Sequence, residues 1–175
     1  MKKVIVTARS FAQADEAPIR LLQEHGCEVK KIATGKPMTA EELIPQIADA
    51  DAIIAGLDVY SKDVIEAGKN LKVISRYGVG YDKVDVAAAK ELGIAVTFTP
   101  GTNENSVADL AIALMLSAVR FVPAVDRDVK NGGWGRTLGG EMWNKTLGVI
   151  GLGRIGKGVV RRAKGFNMNI LCCEK

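Results

Sequence analysis

Residues 145–156 read Lys145-Thr146-Leu147-Gly148-Val149-Ile150-Gly151-Leu152-Gly153-Arg154-Ile155-Gly156, an apolar strand pattern running into three glycines spaced G-x-G-x-x-G. Such a triplet is weak evidence alone, because glycines also serve ordinary tight turns. Here the strand Thr146 to Ile150 precedes it, and a helix with Ile155, Val159, Val160, Ala163 and Phe166 on one face follows. Asn167 is the expected left-handed stop, and Asn169 to Cys173 is the next strand. A glycine turn inside a β-α-β unit is the dinucleotide-binding fingerprint. Gly151 makes the tight turn, Gly153 lets a pyrophosphate approach the backbone, and Gly156 lets helix and strand pack closely. The free N–H groups and positive end of the helix face the diphosphate, with Arg154 adding charge and Ile155 in the same turn. Glu174, 18 positions after Gly156, falls at the tip of the second strand. A carboxylate there accepts hydrogen bonds from ribose hydroxyls and repels a 2′-phosphate, which favours NAD over NADP, although Lys175 beside it weakens that preference.

Upstream, residues 3 to 99 alternate β-rich runs with helical patterns, the rhythm of a parallel sheet covered by helices. Strands are predicted at Val4–Thr7, Glu28–Ile32, Ala52–Ala55, Lys72–Ser75 and Ala95–Thr97, with helices near 14–24, 40–49, 62–68 and 84–91. Thr39 and Glu42 form a capping box before the apolar face Leu43, Ile44, Ile47 and Ala48, and Pro45 is tolerable there only near the first turn. Gly26 and Gly93 are helix stops. Five strands in this order make a flavodoxin-like doubly wound α/β domain over residues 1–100.

Pro100-Gly101 breaks the rhythm, and Val107, Leu110, Ala111, Leu114, Met115, Ala118, Val119 and Val122 then recur at helical spacing. The expectation is a long linking helix within 101–133, with a mostly buried stripe; from Val107 it runs through Pro123, where it is open to a kink, toward Lys130, about 35 Å at 1.5 Å per residue. Asn131-Gly132-Gly133 and Gly139-Gly140, around Trp134 and Trp143, read as the loop into residues 134–175. That last segment is the first β-α-β of a Rossmann domain, which needs about six strands in full.

Composition excludes other classes. The 175 residues are 47% hydrophobic and 25% charged, with no low-complexity tract and no apolar run of membrane-spanning length. Cys27, Cys172 and Cys173 have neither metal-ligand spacing nor an even count, so they read as reduced thiols in a cytoplasmic protein. The net charge of +4 is scattered; its densest group, Lys157, Arg161, Arg162 and Lys164, reads as a solvated helix face, not a nucleic-acid site.

Four blocks in order, Arg76-Tyr77-Gly78-Val79-Gly80-Tyr81-Asp82-Lys83-Val84-Asp85, Thr99-Pro100-Gly101-Thr102-Asn103, Val107-Ala108-Asp109 and residues 145–156, resemble the D-2-hydroxyacid dehydrogenases, phosphoglycerate dehydrogenases nearest by pattern. The resemblance covers essentially the whole chain. It implies a substrate domain followed by an NAD domain, with the active site in the cleft between them. It also implies that the turn Gly78-Val79-Gly80 offers N–H groups to the substrate carboxylate, with Val79 and Val107 near the nicotinamide. Asp109 stands where the family usually has Glu.

Hydride transfer to a 2-keto acid needs a cation to polarise the carbonyl and an acid to protonate the developing alkoxide. The resemblance implies an Arg and a Glu-oriented His, all beyond the second strand of the NAD domain, so no catalytic residue is expected in this chain and the 175 residues alone are expected to be inactive. His25, the only histidine, reads as a helix-end residue. Phosphoglycerate-specific members often place an Arg after the third strand, where this chain has Gly56-Leu57-Asp58-Val59-Tyr60-Ser61. Hydroxypyruvate, glyoxylate or another small 2-keto acid therefore stays open beside 3-phosphoglycerate. Two other classes remain: a non-catalytic carboxylate- or nucleotide-binding module, and a flavodoxin-like interaction domain with a C-terminal assembly arm. An exposed apolar stripe would favour a homodimer or larger assembly.

Overall fold

The computed structural model describes residues 1–174, so Lys175 lies outside the described residues. The chain forms two compact units, Met1–Pro100 and the residues from Gly101 onward.

The first unit is α/β. Strands β1 (Lys2–Val6), β2 (Cys27–Lys31), β3 (Ala52–Ala55), β4 (Val73–Arg76) and β5 (Ala95–Thr97) alternate with helices α1 (Ala17–Glu24), α2 (Ala40–Ile47), α3 (Lys62–Ala67) and α4 (Val86–Glu91). The sheet order is β2-β1-β3-β4-β5, every neighbour parallel. Register explains the core. Ile5, Ile53, Ile74 and Val96 are successive partners across four strands, so their side chains line one face of the sheet. Leu43 and Ile47 from α2, Val64 and Ile65 from α3, and Ala88 and Ala89 from α4 close over that row. A smaller cluster on Val6, Ala8 and Phe11 packs against Ile19 and Leu22 of α1.

Local chemistry sets the helix ends. Thr39 and Glu42 make the reciprocal capping box, Thr39 N donating to Glu42 Oε2 (2.9 Å) and Glu42 N to Thr39 Oγ1 (3.3 Å). Pro45 sits within α2, whose eight residues end two positions later. The first helix, predicted from residue 14, begins at Ala17 because Pro18 is accommodated only in an opening turn. The fourth begins at Val86, where Asp85 Oδ1 accepts the Ala88 N–H (2.9 Å). Gly26 and Gly93 adopt the left-handed conformation, with φ of 75° and 69°.

The second unit holds α5 (Glu104–Val119), α6 (Val122–Lys130), β6 (Thr146–Ile150), α7 (Arg154–Ala163), a single 3₁₀ turn (Lys164–Phe166) and β7 (Asn169–Cys173). Strands β6 and β7 pair in parallel, and Asn167 is left-handed at φ 51°. The long helix expected within 101–133 is kinked so sharply that it divides into two. It breaks at Arg120-Phe121 and turns by 62°. Pro123 has no N–H to return to the Val119 carbonyl, which instead accepts the Gly140 N–H at 3.0 Å, and Phe121 takes φ 53° to make the corner. A Cβ on Gly139 would meet Val119 O at 2.9 Å, so this glycine pair, read from sequence as a loop signal, fits against the break.

The apolar stripe of α5 is corrected as well. Ala108 and Ile112 are buried, with Met115, Leu116 and Val119 packed toward Met142, Ala163 and Ile170, whereas Leu110 and Leu114 are exposed. Helix α7 meets α5 at Gly158, where an added Cβ would lie 3.0 Å from that of Ala108. Arg162 reinforces the contact by donating to Asp109 Oδ1 on α5, while its Nη1 donates to the Gly158 carbonyl of its own helix (3.0 Å). The shorter acid at 109 is thus one side of a helix-to-helix ion pair. No single helix among the described residues is long and apolar enough to cross a membrane.

Candidate functional site

The glycine turn in the second unit is built by three different constraints. Gly151 adopts φ +89°, a conformation that side chains disfavour, and its N–H donates to Cys173 O (2.7 Å), tying the turn to the end of β7. Gly156 is sterically obligatory, since a Cβ there would stand 2.2 Å from Gly151 O and 3.5 Å from Val149 Cγ1. Gly153 faces open space; among the described residues nothing lies within 4 Å of where its Cβ would be. It is also the N-cap of α7, and among the described residues no side chain caps that end. The first N–H groups of a helix have no partner within it, so this end presents donors and partial positive charge at an unobstructed surface.

The other residues expected around the turn take these positions. Glu174 Oε2 accepts the Leu152 N–H, so the acid at the tip of β7 reaches back to the glycine turn. Arg154 opens α7, and its Nε would lie 3.8 Å from a Cβ added to Gly101, just before α5. Ile155 is 38% exposed, and so only partly a member of the apolar face of α7. Val107 is half-buried on α5.

In the first unit the segment after β4 is held by its own backbone. Tyr77 N donates to Ala55 O (3.0 Å), Gly78 N to Arg76 O (2.9 Å) and Thr99 N to Gly78 O (3.0 Å). Gly78 has φ +156°, and a Cβ on it would meet Arg76 Nη1 at 2.8 Å. The Arg76 guanidinium lies along this segment, donating to Tyr77 O (2.5 Å) and Ala55 O (3.3 Å). Because the Gly78 N–H is already committed, the donors left to a ligand are those of Val79 and Gly80, which make no hydrogen bond among the described residues.

Beside this turn is a cavity of about 280 Å³ lined by Thr7, Arg9, Lys36, Gly56, Asp58 and Arg76, among others. Its floor is a buried polar cluster that sequence reading missed. Thr7 Oγ1 accepts the Gly56 N–H (2.8 Å) and shares a hydrogen bond with Tyr60 Oη (2.7 Å). Asp58 is 3% exposed, its Oδ1 accepting the Met38 N–H (2.8 Å) and its Oδ2 lacking a hydrogen-bond partner among the described residues. Burial, with the Asp58 charge adding to it, pushes the Tyr60 hydroxyl well above the usual tyrosine range. Only the alternating β-α rhythm could have hinted at this cluster, since it places the residues after β1 and β3 side by side. His25 keeps the role its position suggested, with Nδ1 at 2.8 Å from Leu21 O at the end of α1.

Residues 4–168 match the family model for the D-isomer specific 2-hydroxyacid dehydrogenase catalytic domain. This chain belongs to that family. Over 175 residues it is 47% identical to the D-3-phosphoglycerate dehydrogenase of Methanocaldococcus jannaschii, an alignment covering 98% of this chain and 32% of that protein. The glyoxylate reductase of Pyrococcus horikoshii is 37% identical over 97% of this chain and 52% of its own length. A solved 2-hydroxyacid dehydrogenase fold, the NAD+-bound 3-phosphoglycerate dehydrogenase of Entamoeba histolytica, superposes with a TM-score of 0.78 at 33% identity, covering 98% of this chain and 53% of the other. The chain thus spans about a third to a half of the length of these family relatives.

Proposed function

We propose that this chain carries the substrate-carboxylate turn and the dinucleotide-phosphate turn of an NAD-dependent D-2-hydroxyacid dehydrogenase acting on a small 2-hydroxy or 2-keto acid. The observation carrying this reading is the glycine turn itself. Gly151 needs a positive φ, Gly156 has no room for a Cβ, and Gly153 leaves its approach open at an uncapped helix end. Those features suit a pyrophosphate resting on backbone N–H groups. Arg154, the first residue of α7, adds a positive charge to the same end. Glu174 exchanges the Leu152 N–H for the hydroxyls of an adenosine ribose and repels a 2′-phosphate.

In the first unit, the Val79 and Gly80 N–H groups hold the substrate carboxylate in a small anion-binding concavity. Val79 and Val107 offer apolar contacts to the nicotinamide. When bound, NAD accepts or donates the hydride. None of the residues assigned here polarises the keto oxygen or moves its proton, so these 175 residues bind without turning over. Leu110, Leu114 and Phe121, exposed and apolar, are the surface through which copies associate. The setting is the cytoplasm, where Cys27, Cys172 and Cys173 stay free thiols.

Calorimetric titration tests the cofactor assignment. NAD binds with NADP at least about tenfold weaker, and Glu174→Gln narrows that gap. Equal affinity for the two cofactors, or none for NAD, would overturn the assignment. NADH oxidation above background with any small 2-keto acid would overturn the claim that these residues only bind.

A further inference from the structure

Residues 151–168 carry five cations, Arg154, Lys157, Arg161, Arg162 and Lys164, and no acid. Among the described residues Arg162 alone of the five makes an ion pair, with Asp109 of α5. The other four are exposed and follow one another at spacings of three, four and three. At about 100° per helical residue those spacings keep them within about 80° of arc, so they form a single stripe along α7 and the 3₁₀ turn that ends it. From Arg154 to Lys164 the stripe rises about 15 Å.

This arrangement opposes the helix that bears it. Like charges three or four residues apart on one face repel, as Arg154 and Lys157, Lys157 and Arg161, and Arg161 and Lys164 do. Arg154 and Lys157 also stand in the opening turn, at the positive end of the helix dipole, where acids are the favoured residues. Helix α6 of the same unit shows the ordinary pattern, its Lys130 paired with Asp126 at 2.8 Å. The positive potential of the stripe therefore adds to that of the uncapped N–H groups, and it does so at the end where Gly153 faces open space. The one acid drawn to that turn, Glu174, accepts the Leu152 N–H and belongs to β7's tip, not to α7. An anion arriving from solvent relieves both the repulsion and the dipole mismatch.

We propose that the stripe steers the dinucleotide onto the glycine turn. Lys157, Arg161 and Lys164 attract the diphosphate during encounter and deliver it to the open end of α7, and they are not contacts of the bound cofactor. Their effect is on the association rate, which fields of this kind raise by about 10- to 1,000-fold with a steep dependence on salt. The screening length of about 30 Å at 0.01 M salt spans the whole stripe, whereas about 8 Å at 0.15 M reaches only its near half. The proposal rests on the reading of the glycine turn as the dinucleotide site.

The test is stopped-flow mixing of the 175-residue chain with NADH, followed by nicotinamide fluorescence. In the triple variant Lys157→Gln, Arg161→Gln, Lys164→Gln the association rate constant at about 10 mM salt is expected to fall by about fivefold or more, with the dissociation rate constant changed by less than about twofold. The difference is expected to vanish at about 0.5 M salt. A second triple variant, Lys69→Gln, Lys72→Gln, Lys90→Gln, removes the same charge from exposed positions of the first unit and is expected to keep the parent rate within about twofold. Glutamine is a good helix former, so circular dichroism of the stripe variant is expected to match the parent. Equal association rates at low salt, a deficit that persists at high salt, a faster dissociation, or the same loss in the second variant would each overturn steering and leave the dinucleotide reading in place. If NADH does not bind the parent chain, the dinucleotide reading fails and steering falls with it.

Discussion

Gly153 and Gly156 stand three residues apart in one turn and answer to different demands, which makes them separable by substitution. Alanine at 156 would force a Cβ to 2.2 Å from Gly151 O, a clash that backbone must relieve, at about 1–3 kcal/mol of stability in the second unit. Alanine at 153 meets no atom within 4 Å, so the fold is expected to keep its stability within about 0.5 kcal/mol. If the open side of Gly153 is where a pyrophosphate rests, Gly153→Ala weakens NAD binding about tenfold or more while leaving the urea midpoint in place. Full NAD affinity in that variant would remove the pyrophosphate from this turn. Tyr60 supplies a pH-dependent counterpart in the first unit. Its folded pKa is raised, so it stays protonated where the unfolded chain has ionised. The stability it contributes is complete below about pH 10 and is lost above it, at up to about 1.4 kcal/mol per pH unit. Urea midpoints measured from pH 9 to 11 should fall more steeply for the parent than for Tyr60→Phe; parallel curves would refute the effect. The glycine turn was legible in sequence because each glycine answers a local geometric need. Thr7, Asp58 and Tyr60 were not, because their partners come from distant strands and only the parallel register of β1 and β3 brings them together.

At the level of elements, the strands of both sheets and the capping box of α2 could be read directly, since they rest on short-range patterns of apolar residues and caps. The corner between α5 and α6 could be read only in part, as a kink at Pro123. Ala118, Val119 and Val122 continue the helical spacing across it, and the left-handed residue that makes the turn is Phe121, not a glycine or asparagine. Pro123 was the visible clue, but its missing hydrogen bond is resolved by Gly140, 17 positions away. Gly158 was equally silent, since a glycine within a helix carries no sign of the partner it approaches. Its neighbour is Ala108 at the α5–α7 contact, which leads to a reciprocal prediction. Gly158→Ala destabilises the second unit by about 1–2 kcal/mol, and adding Ala108→Gly recovers part of that loss by returning the space. A double-mutant cycle in urea measures the coupling, and strictly additive effects would mean the two helices do not meet there as described.

The two units differ in how completely their sheets are covered, and that difference sets how the molecule as a whole should unfold. The first has five parallel strands and a continuous core in which Ile5, Ile53 and Ile74 are fully buried. The second has two strands, and on them Ile150 and Leu171 are 93% and 66% exposed. Two-stranded sheets are marginal without further packing, and here α5 and α7 supply most of it. The second unit is therefore expected to unfold first in urea, so that a single two-state curve does not describe the chain. The sequence has placed the reporters for this. Both tryptophans, Trp134 and Trp143, lie in the second unit, and all three tyrosines, Tyr60, Tyr77 and Tyr81, lie in the first. Tryptophan emission should change at lower urea than tyrosine absorbance, with circular dichroism following both steps. Saturating NAD should then shift chiefly the tryptophan transition, by about 2.7 kcal/mol at a hundredfold excess over its dissociation constant, because a ligand stabilises the unit that supplies most of its contacts. Coincident transitions would show that the units unfold together. An NAD-induced shift confined to the tyrosine signal would move the dinucleotide site out of the second unit altogether.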